Sequence, residues 1–354
     1  MTCQPYLDRI RWCTVLIVIV YHVLYQFNSV GLIRNIYAPG IPILDTSMAF
    51  VYPWFMALLF VVAGMSAQYA MQKRTSREFL RDRAKHILLP SVAGIFLLSW
   101  LVGWITSKGP YFVLPGEAEL PDITLYLIYC LSGIGPLWFC HELFAGCLVL
   151  LLLRKLDKNN RLWHLGGKVK GSVLVLLGFT VWGSAQILNT PLIEVYRNGF
   201  YWFLFLLGYY VFSHESVTDT LARHHLPLLI TGCLMGVLFM VCHYGENYAA
   251  MEVLKTPFTN TYAWVMVLAL LGTFKAHCNG PEGPVSRYLT ERNFGFYALH
   301  NPLEVLIAYP VVTFLQLPTW CNYLLVLSGT VVLLPIFYEL VSRIPLLNKL
   351  LLGK

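Results

Sequence analysis

Apolar stretches of roughly 17 to 25 residues, the length an α-helix needs to cross a bilayer, recur along this chain with only short connections between them. Hydropathy, helix breakers and charges set them near residues 10–29, 48–69, 87–106, 134–153, 172–189, 199–213, 226–243, 258–276, 293–315 and 322–342. The fold class this predicts is all-α: a polytopic integral membrane protein of about ten transmembrane helices. Residues 1–354 then form a single transmembrane domain with no separate soluble domain. Composition points the same way. Only 12% of residues are charged and 57% are hydrophobic, whereas a soluble domain carries about a quarter charged residues, and the mean hydropathy is +0.63. The 15% of aromatic residues supply Trp and Tyr for belts at the membrane interfaces. Nine cysteines are scattered without a CxxC pair, so neither a zinc site nor a disulfide framework is indicated. Arg9 and Arg11 precede the first apolar run as in a signal peptide. The run, however, continues for a full span without a small-residue cleavage site, and a retained first helix is expected.

Lysine and arginine set the expected topology. With the N-terminus, alternate connections and the C-terminus on one side, that side holds 21 of the 25 basic residues, leaving Arg34, Lys108, Arg197 and Lys255 on the other. Positive residues stay cytoplasmic, so both termini are expected there. The net charge of +7 is then an inner-surface charge, suited to anionic lipid headgroups or to a polyanionic soluble substrate. It is densest over 73–86, KRTSREFLRDRAKH. The longest outer connection runs from Ser107 to Gly133, carries Glu117, Glu119 and Asp122, and ends in the amphipathic stretch ITLYLIYCL. That stretch either lies along the interface or roofs a cavity, and periodicity does not choose.

The polar residues inside the spans are fewer and more informative. Arg11 and His22 are eleven residues apart in RWCTVLIVIVYH, which on a helix is three turns plus about 20°, so both sit on one face about 16 Å apart along the axis. Val15, Val18 and Gln26 continue that stripe. An ionisable group inside a membrane is costly, and His22 is read as functional by default. His141 and Glu142 follow GPLWF in the fourth span. HELFA has Ala145 where a zinc-protease helix needs a second histidine, so that reading fails; either residue could instead orient His22 across the bundle. His300 and Asn301 precede Pro302 in the ninth span, where a kink or break buried in protein is expected. They serve that break or a reaction cavity. Arg81, Arg83 and His86 are explained as positive-inside residues at the start of the third span, and His224 and His225 as a solvated loop.

Four separated stretches together resemble the integral-membrane acyltransferase 3 family, which contains bacterial sugar and glucan O-acyltransferases. YLDRIRWCTVLIVIVYH resembles its first-helix signature of arginine, ten residues and histidine. FVVAGMSAQYAMQKRTSREFLRDRAKHILLP is similar to its second helix, basic segment and proline-marked third helix. GPLWFCHELF resembles its Leu-Trp-Phe segment, and NFGFYALHNP its late Tyr-x-x-His segment. The stretches lie in the family's order from about residue 6 to 310. One position departs: where the family presents Arg-x-x-Arg, this chain has Arg83 and His86, and histidine is only partly charged at neutral pH. Arg81 or Lys85 could supply the charge.

The resemblance implies an O-acyltransferase moving a short acyl group, most often acetyl, from cytoplasmic acyl-CoA to a hydroxyl of a sugar-containing acceptor. Acyl-CoA is then a co-substrate and no cofactor is bound. The implied partners are the acyl-CoA donor, a glycan or glycolipid acceptor and the lipid bilayer of the cell membrane; no nucleic acid and no metal are expected. For the site it implies His22 as the catalytic residue, with Arg11, Arg81, Arg83, His86, Trp138 and His300 in substrate binding and Glu142 as an orienting residue. An arginine at the mouth can hold phosphate while the thin pantetheine arm carries the thioester inward. His22 can then take the proton of an attacking hydroxyl or become acylated itself, and the sequence leaves both routes open. The alternative from another class is a proton-coupled transporter using His22 and Glu142 as a relay. No repeat between the halves and no second copy of the Arg11–His22 stripe supports it.

Overall fold

The computed structural model describes residues 4–33, 36–109, 120–190 and 196–354; Arg34, Glu117 and Glu119 lie outside the described residues. Its main helices are α1 (Pro5–Tyr25), α2 (Pro42–Val51), α3 (Phe55–Met71), α4 (Ser76–Thr106), α5 (Asp122–Ser132), α6 (Gly135–Leu156) and α7 (Gly171–Ser184). They continue with α8 (Asn198–Leu207), α9 (Glu215–Arg223), α10 (His225–Cys242), α11 (Pro257–His277), α12 (Pro284–Pro310) and α13 (Thr319–Arg343). Among the described residues no strand forms, and the sole bridge pairs Asn189 with Arg197. The protein is an all-α, multi-pass membrane protein. Among the described residues, six helical stretches are long and apolar enough to cross a membrane: Pro42–Met71, Ser76–Thr106, Gly135–Leu156, His225–Cys242, Pro284–Leu315 and Thr319–Arg343. The rim of the bundle faces outward with apolar side chains, as lipid contact demands; on α10, Leu234 is 66% and Val241 69% exposed.

The basic segment is helical. Thr75 caps α4: its hydroxyl accepts from the Glu78 amide at 3.3 Å while the Glu78 carboxylate accepts from the Thr75 amide at 2.8 Å. This reciprocal capping starts a helix where polar composition alone suggests a connection. The helix widens into a π-turn at Ala84–Leu88. Of the kink or break expected in the ninth span, the break does not occur: α12 runs unbroken through Asn301-Pro302. Pro302 removes one backbone bond, that to the Ala298 carbonyl, and the helix continues because α1, α4 and α13 pack around it.

Helices α1, α3, α6, α8 and α12 surround the interior. α1 packs on α3 and α12, and α3 on α8. The α3–α8 contact is close because Gly64 has no side chain; a Cβ there would lie 1.9 Å from the Phe205 carbonyl oxygen. Small residues at such crossings let membrane helices approach backbone to backbone. Here the approach brings Tyr201 and Phe205 of α8 to the same interior as Met56 and Leu59 of α3.

Candidate active site

The stripe predicted on α1 lines two cavities in succession. Arg11 and Val15 face an inner cavity of about 360 Å³, and Val18 and His22 an outer one of about 170 Å³. Gln26, further along, is buried with its amide 3.5 Å from the Asn301 side-chain oxygen. Four other helices pass from one cavity to the other within about a turn. Leu59 of α3, Phe139 of α6 and Phe205 of α8 face the inner cavity; Met56, Trp138 and Tyr201 face the outer. On α12 the order is Asn293 and Phe294 inside, Asn301 outside, with Tyr297 between them lining both. The two cavities are therefore stacked along the bundle.

The inner cavity is cationic. Arg11, Arg83 and His86 line it, and among the described residues no carboxylate does. Arg11 is engaged by the protein, donating to Asp8 on its own helix and to Ser66 on α3. Arg83 forms no ion pair or side-chain hydrogen bond among the described residues, and its guanidinium sits 5.1 Å from the Phe79 ring centroid. That leaves its donors available. The π-turn after Arg83 carries His86 to the same cavity, and π-turns often mark functional positions. His86 Nδ1 lies 2.8 Å from the Asp82 carbonyl oxygen and 3.4 Å from the Asp82 carboxylate. Arg81 and Lys85 are exposed and line neither cavity, so neither makes up for the departure at His86.

The outer cavity is aromatic and uncharged. Six tyrosines, at 21, 25, 52, 196, 201 and 297, join Phe55, Trp138, Ser132 and Asn301 around His22, with no Asp, Glu, Lys or Arg among the described lining residues. The end of α5 contributes Leu131, the last residue of the stretch ITLYLIYCL, and Ser132, so that stretch meets the cavity by its end while its Ile123 and Leu127 are exposed. Gly135 makes the turn into α6. Its φ of +49° suits glycine, and a Cβ there would stand 2.6 Å from the Asn301 amide nitrogen.

Hydrogen bonds assign the tautomer of His22. Its Nδ1 lies 2.8 Å from the Val18 carbonyl oxygen, an acceptor only, so Nδ1 carries the hydrogen. Nε2 is left with a lone pair. The nearest ring partner is His300, whose Nε2 is 3.5 Å from His22 Nδ1, with centroids 5.1 Å apart and planes at 68°. His300 donates from Nδ1 to the Tyr297 carbonyl at 2.7 Å, so its own Nε2 is an acceptor facing the His22 N–H. The two imidazoles thus stand edge to face between α1 and α12, with the His22 Nε2 lone pair free to accept a proton.

The expected orienting residue, Glu142, stands elsewhere. Asn198 donates to its Oε1 at 3.2 Å, and His141 bonds Tyr196 at 2.5 Å; neither reaches His22. Glu142 is turned toward Asn198 of α8, and His141 toward Tyr196 and toward Ser91 of α4. His224 and His225 are also more than a loop, since His225 begins α10 and its Nε2 is 2.9 Å from that of His277. Sequence reading missed Tyr297, Tyr201, Tyr196 and Ser66. Tyr297 stands three residues before His300 in NFGFYALHNP, the one signal available for it.

The model of the acyltransferase domain family matches residues 4–339. The chain belongs to the acyltransferase 3 family. It is similar to the glucans biosynthesis protein C of three Escherichia coli strains, O1:K1, S88 and UTI89, each 23% identical over 381 residues, which covers 99% of this chain and 94% of the relative. No solved structure matches. An acyltransferase 3 protein with a base-competent histidine between its helices is a membrane O-acyltransferase, and membership decides against the transporter. The four stretches that carry the resemblance all supply residues that line the two cavities.

Proposed function

We propose that this acyltransferase binds acyl-CoA, most simply acetyl-CoA, in the inner cavity and transfers the acyl group to a hydroxyl of a sugar-containing acceptor in the outer one. The observation that carries this reading is the stacking of a cationic cavity on an uncharged aromatic one, with His22 in the second. Arg83 and His86, with Arg11 behind them, offer charge-assisted hydrogen bonds to phosphate. Tyrosine hydroxyls and ring faces offer a polyhydroxylated acceptor both hydrogen bonds and apolar contact without charge. The basic side faces the cytoplasm, where the donor is, and the membrane is the cytoplasmic one.

In the step proposed, the acceptor hydroxyl oxygen attacks the thioester carbonyl carbon and its proton passes to His22 Nε2. The C–S bond then breaks, and the CoA thiolate leaves, taking that proton. An acyl-histidine route has the same balance: Nε2 attacks first and CoA leaves as the thiolate, and the acceptor hydroxyl then displaces the imidazole, its proton passing to that thiolate. The Val18 carbonyl accepts from His22 Nδ1–H and steadies the cation formed in the first route, with the His300 ring beside it. The test is CoA release from acetyl-CoA by protein in sealed vesicles, with and without envelope glycan, and mass spectrometry of the glycan. An acetyl-sized mass gain that needs the protein supports the reading; CoA release that never tracks a glycan product removes the acceptor assignment.

A further inference from the structure

Among the described residues, Tyr297 alone borders both cavities. It is 4% exposed, its ring stands edge-on to Phe139 with centroids 5.7 Å apart, and its hydroxyl donates to the Pro136 carbonyl. Pro136 belongs to the turn after Gly135 that walls the outer cavity. On α1, Val15 and Val18 face opposite cavities less than a turn apart, so only one layer of side chains separates them. The cationic groups lie on one side of this layer and His22 on the other. A group passing from one cavity to the other crosses this layer, in which the Tyr297 ring stands.

We propose that Tyr297 is the septum of the transfer path. Its hydroxyl latches the ring across the waist on the Pro136 carbonyl, and the opening left when the ring swings aside selects which acyl groups reach His22. The selectivity part rests on the donor and acceptor assignment above; the septum itself does not. A buried tyrosine hydroxyl is held by about one hydrogen bond's worth of free energy, so the latch can open and reclose. Such a partition keeps water of the outer cavity from a thioester waiting in the inner one, where attack by water would give free acid and CoA thiol.

Two readouts test this in one set of vesicles. Ala63→Cys puts a reporter thiol on the inner cavity, to be labelled by a membrane-impermeant methanethiosulfonate applied to the outer-cavity side and quantified by peptide mass spectrometry. In the Tyr297→Phe background the latch is lost and the ring kept, so labelling should rise by about tenfold or less. In Tyr297→Ala it should rise further. The second readout is the rate of CoA release from acetyl-, butyryl- and hexanoyl-CoA. Tyr297→Ala should shift preference toward the longer chains and raise release without acceptor, while Tyr297→Phe keeps the parent's chain-length order. Equal labelling in parent, Tyr297→Phe and folded Tyr297→Ala overturns the septum. Should Tyr297→Ala not fold, unchanged labelling in Tyr297→Phe overturns the latch. Labelling that opens in a protein that turns over none of the three thioesters supports the septum and removes the donor assignment instead.

Discussion

Arg11, Arg83 and His86 crowd one cavity with positive charge, while the cavity stacked on it holds six tyrosines and no charged side chain among its described lining. The separation has an electrostatic use. A base that takes a proton becomes a cation, and a neighbouring arginine opposes that. At an effective dielectric of about 20, two like charges repel by roughly 4 kcal/mol at 4 Å and by about 1 kcal/mol at 16 Å, the spacing of Arg11 and His22 along α1. Under the proposed assignment, phosphate recognition and proton transfer would share one helix, with the repulsion between them cut about fourfold by the spacing. The aromatic cavity adds contact area and hydroxyls around the base at no such cost.

Replacing His22 should separate the cavities most sharply. His22→Ala is expected to lower kcat by roughly 10² to 10⁴ if the residue acts as a general base, with acyl-CoA binding nearly intact. Steady-state kinetics and donor binding on protein shown to be inserted and folded check this; normal turnover would make the stripe structural. Next comes the inner cavity. Arg83→Ala removes a cation with no ion pair or side-chain hydrogen bond among the described residues and should raise KM for acyl-CoA by about 10- to 100-fold, a charged hydrogen bond being worth about 1.5 to 3 kcal/mol, with kcat little changed. A fall in kcat at constant KM would contradict the phosphate role. Arg11→Ala is less clean, because it also strips Asp8 and Ser66 of their partner.

The mirror experiment is Trp138→Ala. Loss of one aromatic wall, beyond the area it buries, is worth about 0.5 to 1.5 kcal/mol, so KM for the acceptor should rise by roughly 2- to 10-fold while KM for the donor stays. Equal effects on both substrates would mean that the cavities are not specialised. The smallest change is expected from His86→Arg. It restores the family's second arginine, but the side chain is 44% exposed and lies beside Asp82, so a gain of about 0.2 to 1 kcal/mol, up to about fivefold in donor affinity, is the ceiling. Unchanged affinity would leave the position a topology signal only.

Periodicity and charge made much of this legible in advance. Helices in a membrane satisfy their own backbone, so apolar length alone locates them, and each of the ten expected stretches is helical over most of its length in the described residues. The alignment of Arg11, Val15, Val18 and His22 needed only the helical repeat. The helical start of α4 was also within reach, because Thr75 and Glu78 form a capping pair visible in TSRE, and the density of charge in that segment obscured it.

What lay beyond the sequence was every relation between helices. His300, not Glu142, turned out to face His22, because α1 packs on α12 while α6 packs on α8, and helix partners leave no local mark. Of the kink or break expected at Pro302, no break formed, since the cost of one lost backbone bond depends on what surrounds the helix there. Tyr297 gained its place for the same reason: a tyrosine on an apolar helix reads as core until five helices meet around it and leave a cavity on either side. Local geometry is written in spacing, and it determined the stripe; which stripe meets which is decided by side-chain packing over long sequence separations, and that only the folded bundle contains.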